Sequence, residues 1–346
     1  MTGLTPHLND LLAGRVADEG DTYAAFQVIM RGDATPEAVA AYLTAVRMQG
    51  ETVGALVGAV RALKEVAKPA FAPPGAIDTA GTGGDGAGTL NISTGAAILI
   101  AATGVPVAKH GNRAMSSKSG SADVLEALGI KLDLDADGIK RCFEAANIAF
   151  FLAPNYHPAM RHVSPVRKAM GIRTIANLLG PLVNPAAAPF QLVGVYAKEW
   201  IEPMAHTLAR IGCQAAWVVH GADGLDELAL SGPTAVAELR EGVVTRFEVV
   251  PEDAGFEREP LDAIKGGDAE TNAEAIRALV AGKANAYRNI CVLNAAAALV
   301  VAGRADHLAA AARTIEAAID SGQAAKTLAS WAAASHVREK GQSSHA

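Results

Sequence analysis

Three stretches of this 346-residue chain place chemically capable side chains at telling spacings. The first is Gly81-Thr82-Gly83-Gly84-Asp85-Gly86, followed by Thr89 and by Asn91-Ile92-Ser93-Thr94, where a helix is expected to begin. Glycines let a ligand approach the backbone, and free N–H groups and hydroxyls at a helix start attract anions. The spacing formally matches the dinucleotide pattern G-x-G-x-x-G, but its context does not. The helix begins near Ser93, beyond the last glycine, and Val105–Lys109 stands where an acid about twenty residues on would hold a ribose. No P-loop pattern occurs. A simple turn needs only one or two glycines, and so many together cost conformational entropy that a bound ligand would justify.

The second stretch is Lys109-His110-Gly111-Asn112-Arg113, followed by Ser116-Ser117-Lys118-Ser119-Gly120-Ser121 at another helix start. Cations beside a serine-rich helix start make a second anion site. Two such sites on adjacent crossovers suit a ligand phosphorylated at both ends. The third stretch, His220–Leu228, places Asp226 and Glu227 just past an expected strand. Adjacent carboxylates there read either as an acidic surface loop or as a magnesium site, because Mg²⁺ takes one or two carboxylates and completes its shell with water and phosphate oxygens. No His or Cys spacing for zinc is present.

The elements that must position these residues are also legible. Residues 1–66 read as helices: Thr35 caps and Pro36 opens one, whose apolar face is Val39, Tyr42, Leu43 and Val46, and Thr52 caps the next. This bundle serves packing or dimerisation. Lys68–Gly75, rich in proline, is the linker. Strand and helix then alternate: strands at 76–78, 105–110, 148–153, 191–196 and 215–221, and helices at 93–103, 121–128, 136–146 and 200–211. Such alternation predicts an α/β domain with a mainly parallel sheet covered by helices. A hairpin is expected at 235–250, turning at Arg240-Glu241-Gly242, and then helices to residue 336 and a frayed polar tail, Arg338–Ala346. Residues 154–185 read as inserted helices without a strand, expected to pack back on the bundle and form part of a cleft. The domains are therefore 1–70, joined by about 154–185, and 71–346.

The net charge of −6 excludes a general nucleic-acid footprint, though not a local basic pocket. Apolar runs are too short for a membrane span, and no basic, apolar leader is visible, so a cytoplasmic location is expected. Cys142, Cys213 and Cys291 are distant and odd in number, and read as buried, reduced thiols.

The motifs GTGGDGAGTLNIST, VAKHGNRAMSSKSGSADVLEALG, HPAM with PVRKAMGIRT, NLLGPLVNPA, VVHGADGLDEL and NAAAALVVAG run from about residue 79 to 303. In that order they resemble the anthranilate phosphoribosyltransferase family, of the class shared with pyrimidine nucleoside phosphorylases. The resemblance implies transfer of a phosphoribosyl group from 5-phospho-α-D-ribose 1-diphosphate to anthranilate, with release of pyrophosphate, in tryptophan biosynthesis. It implies that Gly81, Gly84, Asp85, Thr89, Asn91, Ile92, Ser93, Thr94, Lys109, His110, Gly111, Asn112, Arg113, Ala114, Met115, Ser116, Ser117 and Ser121 hold the diphosphate sugar. Gly81, His110, Asn112 and Arg167 would face anthranilate, Arg167 pairing with its carboxylate, and Ser93, Asp226 and Glu227 would serve Mg²⁺. No covalent nucleophile is implied. A homodimer through the helical domain is expected; the alternatives are a pyrimidine nucleoside phosphorylase and a non-catalytic nucleic-acid-binding relative. Ala176 departs from the family pattern, which commonly has an aromatic there, so a neighbour must fill the space or a small cavity remains.

Overall fold

The structure is a computed structural model and describes residues 3–114 and 118–337; Met115, Ser116, Ser117 and the tail 338–346 lie outside the described residues. Four helices open the chain: α1 (Thr5–Leu12), α2 (Glu19–Arg31), α3 (Pro36–Gln49) and α4 (Val53–Val66). Their limits follow from capping. The Asp18, Thr35 and Thr52 side chains accept from the amides of Asp21, Ala38 and Ala55 at 2.8, 3.3 and 3.0 Å. Helices α2 and α4 cross closely because α4 presents Gly58 to α2; a Cβ there would lie 2.8 Å from the Tyr23 nitrogen.

The α/β part begins with β1 (Ile77–Gly81), α5 (Ile92–Ala102), β2 (Val107–Gly111), α6 (Ser121–Ala127), α7 (Ala136–Ala146) and β3 (Ile148–Leu152). The insert follows, with α8 (Ala153–Tyr156), α9 (Ser164–Met170) and single 3₁₀ turns at Pro158–His162, Ile175–Asn177 and Gly180–Leu182. Then come β4 (Phe190–Gly194), α10 (Ile201–Arg210), β5 (Ala215–Gly221), β6 (Thr234–Arg240) and β7 (Val243–Val249), and finally α11 (Ala269–Val280), α12 (Ala286–Val301), α13 (Leu308–Asp320) and α14 (Gln323–Ser335). The fold is therefore α/β with an N-terminal helical bundle, as the alternation predicts. The hairpin turn is Glu241-Gly242, both left-handed with φ 52 and 79°, which matches the twist of the paired strands β6 and β7.

The seven strands lie in the order β3-β2-β1-β4-β5-β6-β7; β3 to β5 run parallel, and β6 and β7 join antiparallel. The chain builds outward from β1 through β2 to β3, then returns to place β4 on the other side of β1. That reversal opens a crevice at the carboxyl ends of β1 and β4, the position where open α/β sheets bind ligands.

Apart from the exposed edge strand β7, the sheet is buried on both faces, and its side chains alternate between two cores. Leu192, Trp217, Val219 and Val236 join the core under α5 and α12. Val193, Ala216, Val218, Ala237 and Leu239 join a second core with Met204 and Leu208 of α10, Phe26, Leu56 and Val60 of the bundle, and Val163, Ile175 and Leu178 of the insert. The insert thus packs back on the bundle, and the bundle shares its core with one sheet face. The linker is tied to both ends of the insert: the Lys68 amide donates to the Tyr156 carbonyl at 2.8 Å and the Ala70 amide to the Pro185 carbonyl at 3.2 Å.

One reading needs adjustment. Cys142 and Cys291 are buried, but Cys213 is only partly buried, because it sits in the α10–β5 connection rather than in an element; all three are free thiols. Ala176 is only 2% exposed and belongs to the second core. Among the described residues no helix is long and apolar enough to cross a membrane.

Candidate active site

The glycine turn leaves the end of β1 and crosses the crevice. Gly83, Gly84, Gly86 and Gly88 all have positive φ, between 62 and 79°, which only glycine adopts without strain. The Asp226 loop lies directly over the turn. A Cβ on Gly194 would collide with the Asp226 carbonyl, and one on Gly81 would lie 2.5 Å from the Asp226 carboxylate, so the paired glycines of β1 and β4 make room for this loop. The Gly83 amide donates to Asp226 Oδ2 at 2.7 Å. Sequence positions 143 apart therefore meet at one turn.

Asp226 and Glu227 are both half-buried. Burial, and then the charge of neighbouring Asp85, push Asp226 up to about 7. Burial, and then Asp226, push Glu227 up to about 8, opposed by Lys109 and by the backbone amide of Ser93 at the start of α5. Crowded carboxylates that resist ionisation are a donor set a divalent cation would relieve. Among the described residues no three His, Cys, Asp or Glu side chains form a protein-only metal cage. That suits Mg²⁺, which takes one or two carboxylates and leaves positions for phosphate oxygens. The residues present fit the ion.

Beneath the turn lies a buried polar layer. Lys109 is 1% exposed; its Nζ donates to the Thr79 carbonyl at 2.7 Å and to Ser93 Oγ at 3.3 Å. Burial lowers its pKa, while Asp78 and Glu227 oppose that shift. Lys109 is thus a buried cation beneath the glycine turn and the start of α5. Asp78 accepts from the His110 amide at 3.1 Å and from Asn184 Nδ2 at 2.8 Å, and burial pushes it up to about 6. The His110 ring packs edge-to-face on His157 at 5.3 Å between centroids. Burial, and then His157, push His110 down to about 3, so the ring is neutral. Its Nε2 and both ring nitrogens of His157 make no hydrogen bond within the protein.

The start of α5 differs in detail from a serine-capped helix. Asn91 is the cap residue without a side-chain cap bond, and its Oδ1 accepts instead from Asn272 Nδ2 at 2.8 Å. Ile92 and Thr94 are buried, and the Thr94 hydroxyl has no hydrogen-bond partner. Thr89 forms an isolated bridge with Lys265.

On the second crossover, Arg113 forks onto Glu126 at 2.5 and 2.8 Å and reaches Asp123 at 3.3 Å. Asp123 also accepts from the amides of Ala114 and Gly120, each at 2.9 Å, and so ties the loop to α6. Arg113 is therefore paired with carboxylates of α6. Asn112 is exposed, Gly111 and Ser121 pack near each other, and Ser121 opens α6. The expected ligands Met115, Ser116 and Ser117 lie outside the described residues.

The insert supplies the opposite wall. Arg167 of α9 is half-buried, and among the described residues its Nε makes no hydrogen bond and no carboxylate pairs with it; burial alone lowers its pKa. Such a cation wants an anion. Arg173, farther along the insert, donates from Nη2 to the Gly84 carbonyl and stacks on Tyr196, 4.2 Å from the ring centroid. Asp78, Asn184, His157 and Arg173 are site residues that sequence reasoning misses. Each lies in a stretch it singles out, but nothing local distinguishes a buried partner from a surface one.

Comparison with known proteins accords with this geometry. Residues 5–67 match the helical bundle domain, and residues 73–325 the a/b domain, of the glycosyl transferase family. Anthranilate phosphoribosyltransferase of Azospirillum brasilense is 55% identical over 95% of this chain and 92% of the relative; that of Rhodospirillum rubrum is 54% identical over 91% of each. Among solved structures, the enzyme from Thermus thermophilus superposes with a TM-score of 0.90 at 39% identity, covering 96% of this chain and 99% of that one. The Saccharomyces cerevisiae enzyme in complex with PRPP and Mg superposes with a TM-score of 0.88 at 27% identity over 96% of this chain and 97% of that one. With a two-part match across most of its length, and the glycine turn and acidic pair meeting at one switch point, the chain belongs to the anthranilate phosphoribosyltransferase family.

Proposed function

We propose that the chain transfers the phosphoribosyl group of 5-phospho-α-D-ribose 1-diphosphate to the amine of anthranilate, giving N-(5-phosphoribosyl)anthranilate and pyrophosphate, in tryptophan biosynthesis. The observation that carries the reading is the crevice between β1 and β4. One wall offers a glycine turn and a carboxylate pair, and the other a half-buried arginine without a counter-charge. The donor diphosphate belongs to the first wall and the anthranilate carboxylate to the second.

Breaking the bond from C1 of the ribose leaves positive charge on the sugar and negative charge on pyrophosphate. Backbone amides of the turn and of the α5 start, fixed before reaction, stabilise that departing charge. Asp226, Glu227 and Ser93 would hold Mg²⁺, which when bound neutralises the leaving diphosphate. Arg167 orients the acceptor by pairing with its carboxylate, and neutral His110 lines the acceptor side without competing for it. The aromatic amine is uncharged near neutrality, so alignment of the two substrates supplies much of the rate.

The same reading divides the chain into residues 1–70 with the insert, and 71–346. It places the protein in the cytoplasm as a homodimer paired through the bundle, where Leu12, Val16 and Met48 are 73, 55 and 83% exposed. Arg167→Ala tests the acceptor wall. Its KM for anthranilate should rise at least about tenfold while that for the diphosphate sugar stays within about threefold. An unchanged anthranilate KM would mean that the carboxylate is held elsewhere.

A further inference from the structure

Helix α9 ends at Gly171, φ 64°, and two residues later the chain sends Arg173 across the crevice. Its guanidinium donates to the carbonyl of Gly84, one residue past the Gly83 amide that Asp226 accepts at 2.7 Å. Consecutive residues of the glycine turn are therefore held by two hands, one from the insert and one from the acidic loop. The support for Arg173 is clamped to the same turn. The Tyr196 ring lies 4.2 Å beneath the guanidinium, the Tyr196 amide donates to Thr82 Oγ1 at 3.0 Å, and the Thr82 amide donates to the Gly194 carbonyl at 2.9 Å. A trans peptide directs its C=O and N–H oppositely, so fixing the Gly84 carbonyl toward Arg173 fixes the Asp85 amide away from it. That amide has no acceptor among the described residues. Gly83 and Gly84, φ 66 and 79°, have no side chains of their own to fix this plane.

We propose that Arg173 is a positioning residue: from the acceptor-side insert it sets the peptide plane between Gly84 and Asp85, and so the donor-side amide that meets the diphosphate. The inference rests on the placement of the diphosphate sugar at the glycine turn. It makes the donor site depend on a residue of the opposite wall, and gives the Arg173–Tyr196 stack a role in donor binding.

The test measures KM for both substrates, and calorimetric binding of the diphosphate sugar with Mg²⁺, in wild type, Arg173→Ala, Arg173→Lys, Tyr196→Phe and Tyr196→Ala, with thermal melting as the folding control. Arg173→Ala should raise the KM and Kd for the diphosphate sugar by about tenfold or more, with anthranilate KM within about threefold and melting unchanged within about 2 °C. Arg173→Lys, which keeps a donor, should recover part of the loss. Tyr196→Phe, which keeps the ring under the guanidinium, should lose less donor affinity than Tyr196→Ala. Tyr196→Ala should weaken donor binding, and combining it with Arg173→Ala should add little, because both act through one contact. A rise in anthranilate KM alone would make Arg173 an acceptor ligand and overturn the proposal. So would unchanged donor binding in Arg173→Ala beside a wild type that binds normally. If the wild type itself fails to bind the diphosphate sugar, the placement beneath the proposal fails, and the proposal with it.

Discussion

His110 and Asp78 share a hydrogen bond yet respond to acid in opposite ways. Burial and His157 hold the His110 ring at about 3, against an ordinary 6.5. The unfolded chain therefore binds a proton that the folded one refuses, and stability falls as pH drops from 6.5 toward 3, by up to about 1.4 kcal/mol per pH unit. Asp78, raised to about 6 from 3.8, binds its proton more readily when folded and offsets most of that loss between those values. His110→Gln keeps the backbone amide that Asp78 accepts and removes the titrating ring. Urea unfolding between pH 4 and 7 should then show a distinctly smaller acid loss than wild type; an unchanged slope would mean that another group carries the acid sensitivity. At this scale the sequence is informative about type and silent about depth. Asp226 and Glu227 stand out as an acid pair after a strand, whereas Arg167 is singled out only by the family resemblance. The burial of Lys109 is not legible, because β2 is an inner parallel strand buried on both faces and leaves no alternation to mark which side chains point inward.

Helices and strands are legible wherever punctuation fixes them. Thr35, Thr52, Gly32 and Gly50 bound the bundle helices through caps and turns, and Glu241-Gly242 sets the hairpin, since these are local devices. The sharing of one core by the bundle, α10 and a sheet face leaves no local trace, because it pairs residues far apart in the chain. The crossing of α2 and α4 gives a test at this scale. Alanine at Gly58 would gain about 1 kcal/mol of helix propensity. Its Cβ would meet the backbone of Glu19 and Tyr23, however, and overpacking typically costs about 1–3 kcal/mol. The contact should win, so Gly58→Ala is expected to lower stability by about 1–2 kcal/mol in chemical denaturation. A more stable variant would contradict so close a crossing.

As a whole the molecule is an acidic chain, net charge −6, whose chemistry-bearing residues gather around one crevice. Sheet order places that crevice at the switch point beside β1. The glycine turn, the acidic pair and the insert reach it from different parts of the sequence, which is why the motifs make sense only together. The resemblance supplies the ligands, and the topology supplies the reason those motifs meet. The central claim is tested most directly by following anthranilate fluorescence with the purified protein, the diphosphate sugar and Mg²⁺. Anthranilate should disappear only when all three are present, pyrophosphate should appear in equal amount, and EDTA should stop the reaction. Steady anthranilate fluorescence under these conditions, with metal-independent phosphorolysis of thymidine or uridine by the same protein, would contradict it.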